Sequence, residues 1–325
     1  MKLKITLLIA AFVSLFANAI YAGRASDGNA KIIYWQAPSI LNPYLSSGTK
    51  DIESASLVIE PLGRYDEKGA LVPWLAEEIP TVGNGGVSSD LTTITWKLKK
   101  GLLWSDGSAV TSADVKFTAD YCMDPDGGCA QLNKFDGIKS IDTPDDRTIV
   151  ITFNAPKPNP YGPFMGGQTP ILQKAQFENC KGAKASQCTE QNFNPIGTGP
   201  FTEILRFNSQ VWELGKNHNY WQTDKPYIEK LIFPTFSNNE QTTLALLSGN
   251  LDWAGAFIPA IDRIYVDKDP EHHHYWFRNT GHSTFLLTNT KDPVLSDVGV
   301  RKAISYAIDR EQVVKVGMYN YTTPA

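Results

Sequence analysis

The chain has 325 residues, too many for one ordinary core, so roughly two or three lobes are expected. Hydrophobic residues at 42% and charged residues at 20% are the balance of a globular chain, and 8 Trp with 11% aromatics exclude disorder. Lys+Arg 30 against Asp+Glu 34, a net charge of −4, excludes the strongly basic footprint of a nucleic-acid binder.

The first 22 residues read as a secretory signal peptide. Lys2 and Lys4 form a positive start, and 5–16 is apolar except for Thr6 and Ser14. Ala17-Asn18-Ala19 then places small residues at −3 and −1, with Ala22 as a second possible cut. The apolar run is short of the roughly 20 residues that a membrane span needs. No cysteine lies near the cut to carry a lipid anchor. Cleavage removes both lysines, leaves a more acidic mature chain and frees it into an extracytoplasmic space.

A β-prone run at 31–35 opens the mature chain and ends in the loop Ala37-Pro38-Ser39-Ile40-Leu41-Asn42-Pro43. Residues 54–59 read as helical before Pro61. The alternation of Ile94, Trp96 and Leu98 with Thr93, Thr95 and Lys97 predicts a half-buried strand over 92–98. After the turn Ser105-Asp106-Gly107-Ser108, Thr111 with Asp114 three residues on forms a capping-box variant, which predicts a helix over 112–121. A second alternating strand carries Ile149, Ile151 and Phe153. The Gly/Pro turn Asn194-Pro195-Ile196-Gly197-Thr198-Gly199-Pro200 leads into strands near 201–206 and 210–214, a predicted hairpin. A short strand at 231–233, a helix at 240–247 stopped by Gly249, and a strand from Leu251 follow. Val300, Ala303, Ile304, Ala307 and Ile308 fall at helical spacing, and Asp309 caps a successor helix with Val313 and Val314. Strands and helices mix without strict alternation, so the class is α/β to α+β.

Cys122 and Cys129 are seven apart and Cys180 and Cys188 eight apart. An oxidising compartment favours disulfides, and four cysteines allow three connectivities. Local pairing, Cys122 with Cys129 and Cys180 with Cys188, is expected because each bond would close a polar loop with little core of its own. Zinc is the alternative, but the spacing lacks C-x-x-C.

Catalytic motifs are missing: the sequence holds no G-x-S-x-G elbow, H-E-x-x-H, Walker loop or G-x-G-x-x-G. His272-His273-His274 splays in either regular conformation and has no convergent third ligand, so it reads as a polar turn and not as a metal site. Asp124-Pro125-Asp126-Gly127 lacks the later ligands of a calcium loop. Asn320-Tyr321-Thr322 is a formal glycosylation sequon. The residues themselves favour an extracytoplasmic binding protein over a secreted hydrolase, with no cofactor and no metal.

Several segments in order resemble the family 5 extracellular solute-binding proteins, the peptide, oligopeptide and nickel receptors of ABC importers. They begin with Ser39-Ile40-Leu41-Asn42-Pro43, Glu60-Pro61-Leu62-Gly63-Arg64-Tyr65-Asp66 and Leu71-Val72-Pro73-Trp74-Leu75-Ala76-Glu77. The most specific stretch runs from Thr95 through Lys100-Gly101-Leu102-Leu103-Trp104-Ser105-Asp106-Gly107 to Val115. Gly197-Thr198-Gly199-Pro200-Phe201, Asn219-Tyr220-Trp221, Leu247-Ser248-Gly249-Asn250-Leu251-Asp252 and Asp297 to Arg310 complete the series.

The resemblance implies a periplasmic binding protein-like class II fold with two lobes. Residues 23–57 and 195–285 would form the main part of lobe I, 58–194 an extra subdomain, and 286–325 the start of a lobe II that is largely missing, since family members are longer. It also implies a monomer in the periplasm that binds a peptide ligand and delivers it to membrane permease subunits. The lobe I positions matching the ligand cleft are Ser47, Gly48, Thr49, Trp253, Ala254, Gly255, Asn279 and Thr280. Trp104, Asp106 and Gly107 are expected to be structural. A nickel or oligosaccharide receptor, a secreted hydrolase and a non-binding fragment are the alternatives.

Overall fold

A computed structural model describes residues 25–34, 37–208, 211–276 and 285–324. The signal peptide, Trp35, Ser209, Gln210, Asn279 and Thr280 lie outside the described residues. The described chain divides into two compact units. One holds the residues up to 238 together with 249–255, and the other holds 239–248 and the residues from 256 onward.

In the first unit, strand β1 (Asn29–Tyr34) runs into a loop with a 3-10 turn at Pro43–Leu45, followed by helix α1 (Thr49–Ala55). The helix expected over 54–59 therefore starts earlier and stops sooner. Tertiary bonds end it: the carbonyls of Leu57 and Val58 accept from the N–H groups of Phe201 at 3.2 Å and Gly199 at 2.8 Å. Pro61 also disfavours helix in the residue before it. Gly197 and Gly199 allow this backbone-on-backbone approach. A Cβ on Gly197 would lie 1.8 Å from the Val58 carbonyl oxygen, and one on Gly199 2.3 Å from that of Leu57.

Two short strands, β2 (Gly63–Tyr65) and β3 (Leu71–Pro73), pair antiparallel. Strand β4 (Thr93–Lys97) precedes helix α2 (Ser112–Met123), which opens with the expected box: the Thr111 N–H donates to the Asp114 carboxylate at 2.9 Å. Strands β5 (Ile138–Asp145) and β6 (Thr148–Phe153) complete a three-stranded antiparallel sheet in the order β4-β6-β5. Its inward face, Ile94, Trp96, Ile141, Ile149 and Ile151, is buried, and α2 packs against β5 and β6. Each such side chain contributes about 1.5–3 kcal/mol through its removal from water.

Helices α3 (Lys174–Phe177) and α4 (Thr189–Phe193) lead to β7 (Phe201–Phe207) and β8 (Val211–Lys216), the expected hairpin, and then β9 (Lys230–Pro234). The local cysteine pairing occurs: Cys122 bonds Cys129 and Cys180 bonds Cys188. Helix α5 (Asn239–Leu247) belongs to the second unit, and Gly249 after it adopts φ +74. Strand β10 (Trp253–Gly255) returns to the first. The main sheet has the order β10-β1-β9-β8-β7. Both neighbours of β1 run parallel to it, while β7, β8 and β9 are antiparallel, and the rings of the cross-strand pair Trp212 and Phe233 meet at a tilt, 4.5 Å apart, within the core.

The second unit also carries α6 (Ile261–Ile264), α7 (Val298–Ala307) and α8 (Arg310–Gln312), the last widening into a π turn at Val313–Gly317. Asp297 caps α7 by accepting from the Gly299 N–H at 2.6 Å, and Asp309 caps α8 by accepting from that of Gln312 at 2.9 Å. Among the described residues no helix is long and apolar enough to cross a membrane.

Candidate functional site

Of the sequence-derived positions, Trp253, Ala254 and Gly255 form β10 beside β1, Ser47, Gly48 and Thr49 stand at the entry to α1, and Asn279 and Thr280 lie outside the described residues. On one side of β1, β10 pairs in parallel register, Ile32 with Trp253, Ile33 with Ala254 and Tyr34 with Gly255. On the other lies β9, and α1 also packs against β1. Trp253 is exposed, and Ala254 and Gly255 are half-buried in β10, which is an edge of the sheet among the described residues. The Trp253 indole folds over Gly255, where a Cβ would lie 2.8 Å from the ring, and stands edge-on to Tyr34 at 5.2 Å. Tyr34 is pushed up to about 12 by burial, with the Glu53 charge adding to the rise and Arg64 opposing it.

Ser47 and Thr49 are exposed and Gly48 half-buried at the entry to α1. This entry is held from inside by Asp51, a buried carboxylate that accepts from the Ser39 N–H at 2.6 Å and the Ser46 hydroxyl at 2.7 Å. Lys50 pairs with Asp51 at 3.3 Å and donates to the Ala37 carbonyl at 3.0 Å, which ties the loop ahead of the 3-10 turn to the start of α1. The Ser46 hydroxyl in turn accepts from the Gly48 N–H at 3.1 Å. The loop is thus held by its own hydrogen bonds, with the side chains of Ser47 and Thr49 exposed at its tip. Sequence reading missed Asp51; an acid in the first turn of a helix is the local signal, but its partners in the preceding loop are not legible.

Trp104, Asp106 and Gly107 serve structure. Trp104 is buried, Gly107 turns at φ +84, and the Asp106 carboxylate accepts from the Ser108 N–H at 2.9 Å and the Gln173 amide at 2.9 Å. The neighbouring Ser105 N–H donates to the Gly197 carbonyl at 2.8 Å, so this turn docks onto the Gly/Pro turn.

Of the three consecutive histidines, His272 faces Asp269 at 3.0 Å, which raises its pKa, and His273 stacks on Tyr265 at 3.8 Å. Among the described residues no group of three or more His, Cys, Asp or Glu side chains is placed to hold a metal ion. At Asp124 the carbonyl closes a turn by accepting from the Gly127 N–H at 3.0 Å.

Known proteins share the fold. The glutathione-binding protein GsiB of Pectobacterium atrosepticum is 26% identical over 98% of this chain and 59% of its own length. The oligopeptide-binding protein OppA of Bacillus subtilis is 25% identical over 96% of this chain and 60% of its own length. The solved structure of NikZ from Campylobacter jejuni, in complex with Ni(L-His), superimposes with a TM-score of 0.76 at 24% identity, covering 91% of this chain and 56% of that one. The chain therefore spans somewhat more than half the length of these relatives and shares their mixed α/β fold. Residues 70–325 match the sequence profile described as bacterial extracellular solute-binding proteins, family 5 Middle. The chain belongs to the family 5 bacterial extracellular solute-binding proteins.

Proposed function

We propose that this chain is the substrate-binding component of an ABC importer, capturing peptides in the periplasm and delivering them to membrane permease subunits. The observations that support this reading are strand β10, an edge of the main sheet among the described residues and paired with β1, and the hydrogen-bonded turn that presents Ser47, Gly48 and Thr49 ahead of α1, which packs against β1. An extended peptide satisfies a sheet edge through its own backbone, and pockets beside the edge read its side chains. Trp253, Ala254 and Gly255 supply the edge, and Asn279 and Thr280 are assigned to the same ligand face from the family pattern. The relatives named for glutathione and oligopeptides support a peptide ligand. The protein acts by binding and not by turnover, as a monomer whose leader is removed on export. In this reading 23–57 and 195–285 form the main part of lobe I, 58–194 its extra subdomain and 286–325 the start of lobe II.

Native mass spectrometry of the protein from its own extracytoplasmic fraction, followed by calorimetry with tri-alanine and glutathione, tests the proposal. A peptide-sized adduct, or saturable heat with either probe, supports it. An adduct of nickel or of an oligosaccharide, with no heat from the peptides, overturns the peptide assignment. A protein that carries nothing and binds neither probe overturns the receptor reading.

A further inference from the structure

The loop that presents Ser47, Gly48 and Thr49 is gripped from outside by two buried amide side chains, each close behind a disulfide. Gln131, two residues after Cys129, spans the 3-10 turn at Pro43–Leu45: its amide donates to the Pro43 carbonyl at 3.1 Å and the Ser46 carbonyl at 3.0 Å. Beside it the Ala130 N–H donates to the Tyr44 carbonyl at 2.8 Å. The side-chain oxygen of Asn192, four residues after Cys188, accepts from the buried Asn42 amide at 2.9 Å, while the backbone carbonyl of Asn192 accepts from the Leu41 N–H at 3.0 Å. The same Asn42 amide donates to the hydroxyl of Tyr121, the neighbour of Cys122, at 3.1 Å. Ser46 then passes the constraint on, because its hydroxyl joins Asp51 to the Gly48 N–H.

We propose that Gln131 and Asn192 are positioning residues for ligand binding, setting the shape of 41–49 from segments that the two disulfides hold in place. The inference rests on the assignment of Ser47, Gly48 and Thr49 to the ligand face. Its physical content is preorganisation. The Gln131 amide fixes the Pro43 and Ser46 carbonyls and the Asn192 side-chain oxygen fixes the Asn42 amide, so the ligand does not have to order the loop when it binds.

The test compares the full chain with Gln131→Met and Asn192→Ala, and with Gln173→Met as control. Gln173 is equally buried, but its amide bonds Asp106 and Ser108, away from the loop. Hydrogen exchange at the N–H groups of Leu45, Ser46 and Gly48, thermal midpoint, and affinity for tri-alanine and glutathione are read together. Gln131→Met and Asn192→Ala are expected to speed exchange at those amides and to weaken probe binding, each by about tenfold. Gln173→Met is expected to lower the thermal midpoint and leave both other readouts unchanged. The proposal is overturned if the loop variants bind as wild type does, or if all three variants lose affinity in proportion to stability. A wild-type chain that binds neither probe instead removes the ligand assignment on which the inference rests.

Discussion

The indole N–H of Trp221 donates to the Glu60 carboxylate at 3.0 Å, across 161 residues of sequence. The same carboxylate accepts from the Trp74 indole at 2.7 Å and the Tyr220 hydroxyl at 3.3 Å, and Arg64 reaches it at 3.4 Å. Arg64 also lies 4.1 Å over the Trp74 ring and Lys99 4.1 Å over the Trp221 ring, while the two indoles meet edge to face at 5.4 Å. A fully buried carboxylate thus ties the turn after Val58 to Trp74 and to the loop at 220–221.

Burial is the strongest influence on Glu60 and raises its pKa above the ordinary 4.5, against the pull of Arg64 and the two indoles. A folded value above the unfolded one contributes stability that is complete below about pH 4.5 and is lost as pH rises through the folded value. Glu60→Gln abolishes that titration. The stability difference, wild type minus variant, is therefore expected to shrink between about pH 4.5 and about pH 8, read from urea unfolding at each. Parallel curves would contradict this. Trp221→Phe, which leaves one carboxylate oxygen without its donor, is expected to cost about 1–3 kcal/mol at neutral pH.

Gly197 has no room for a methyl group, because the Val58 carbonyl oxygen would lie 1.8 Å from it and is itself bonded to the Gly199 N–H. Gly197→Ala must push apart two backbones that carry buried hydrogen bonds. Its expected cost is about 3 kcal/mol or more, with Gly249→Ala, where nothing crowds the added carbon, costing only the strain of its positive φ. Equal thermal midpoints for the two variants would refute the steric account.

The two disulfides join cysteines 7 and 8 positions apart. Chain entropy alone gives each about 2.5 kcal/mol. Replacing both cysteines of one pair by alanine is expected to lower the urea midpoint by the corresponding amount for either pair. A variant as stable as wild type would mean that the loops are held by their packing, which includes Tyr121 against Phe177 at 6.1 Å.

What the sequence makes legible is local. The strands around Ile94 and Ile149, and the helix capped by Thr111, follow from alternation and a capping box within a few residues. Strand β5 escapes because 138–145 is mostly polar, has irregular register and buries only Ile141 fully. Strands β2 and β3 are only three residues each, too short for a period. The site divides the same way. The motif order points to Ser47 and Trp253, whereas the roles of Asn42, Gln131 and Asn192 depend on partners 79 to 150 residues away, which no spacing rule reaches.

Trp253 is 46% exposed, which is unusual for an indole at the edge of a main sheet. Its seat is set by the close approach of Gly255 and by Tyr34 edge-on at 5.2 Å, so the ring is held in place while nearly half of the residue stays exposed. A rigid, half-open aromatic gives a ligand contact area at little entropic cost. Trp253→Ala is expected to weaken tri-alanine or glutathione binding by about tenfold while costing only about 1 kcal/mol of stability. Gly255→Val should weaken binding similarly by a different route, because its side chain displaces the indole without removing it. Calorimetric affinity and thermal midpoint, measured on both variants, separate the two effects. If Trp253→Ala binds as wild type does but Gly255→Val does not, the strand edge and not the indole carries the contact. If both bind as wild type does, β10 lies outside the ligand face.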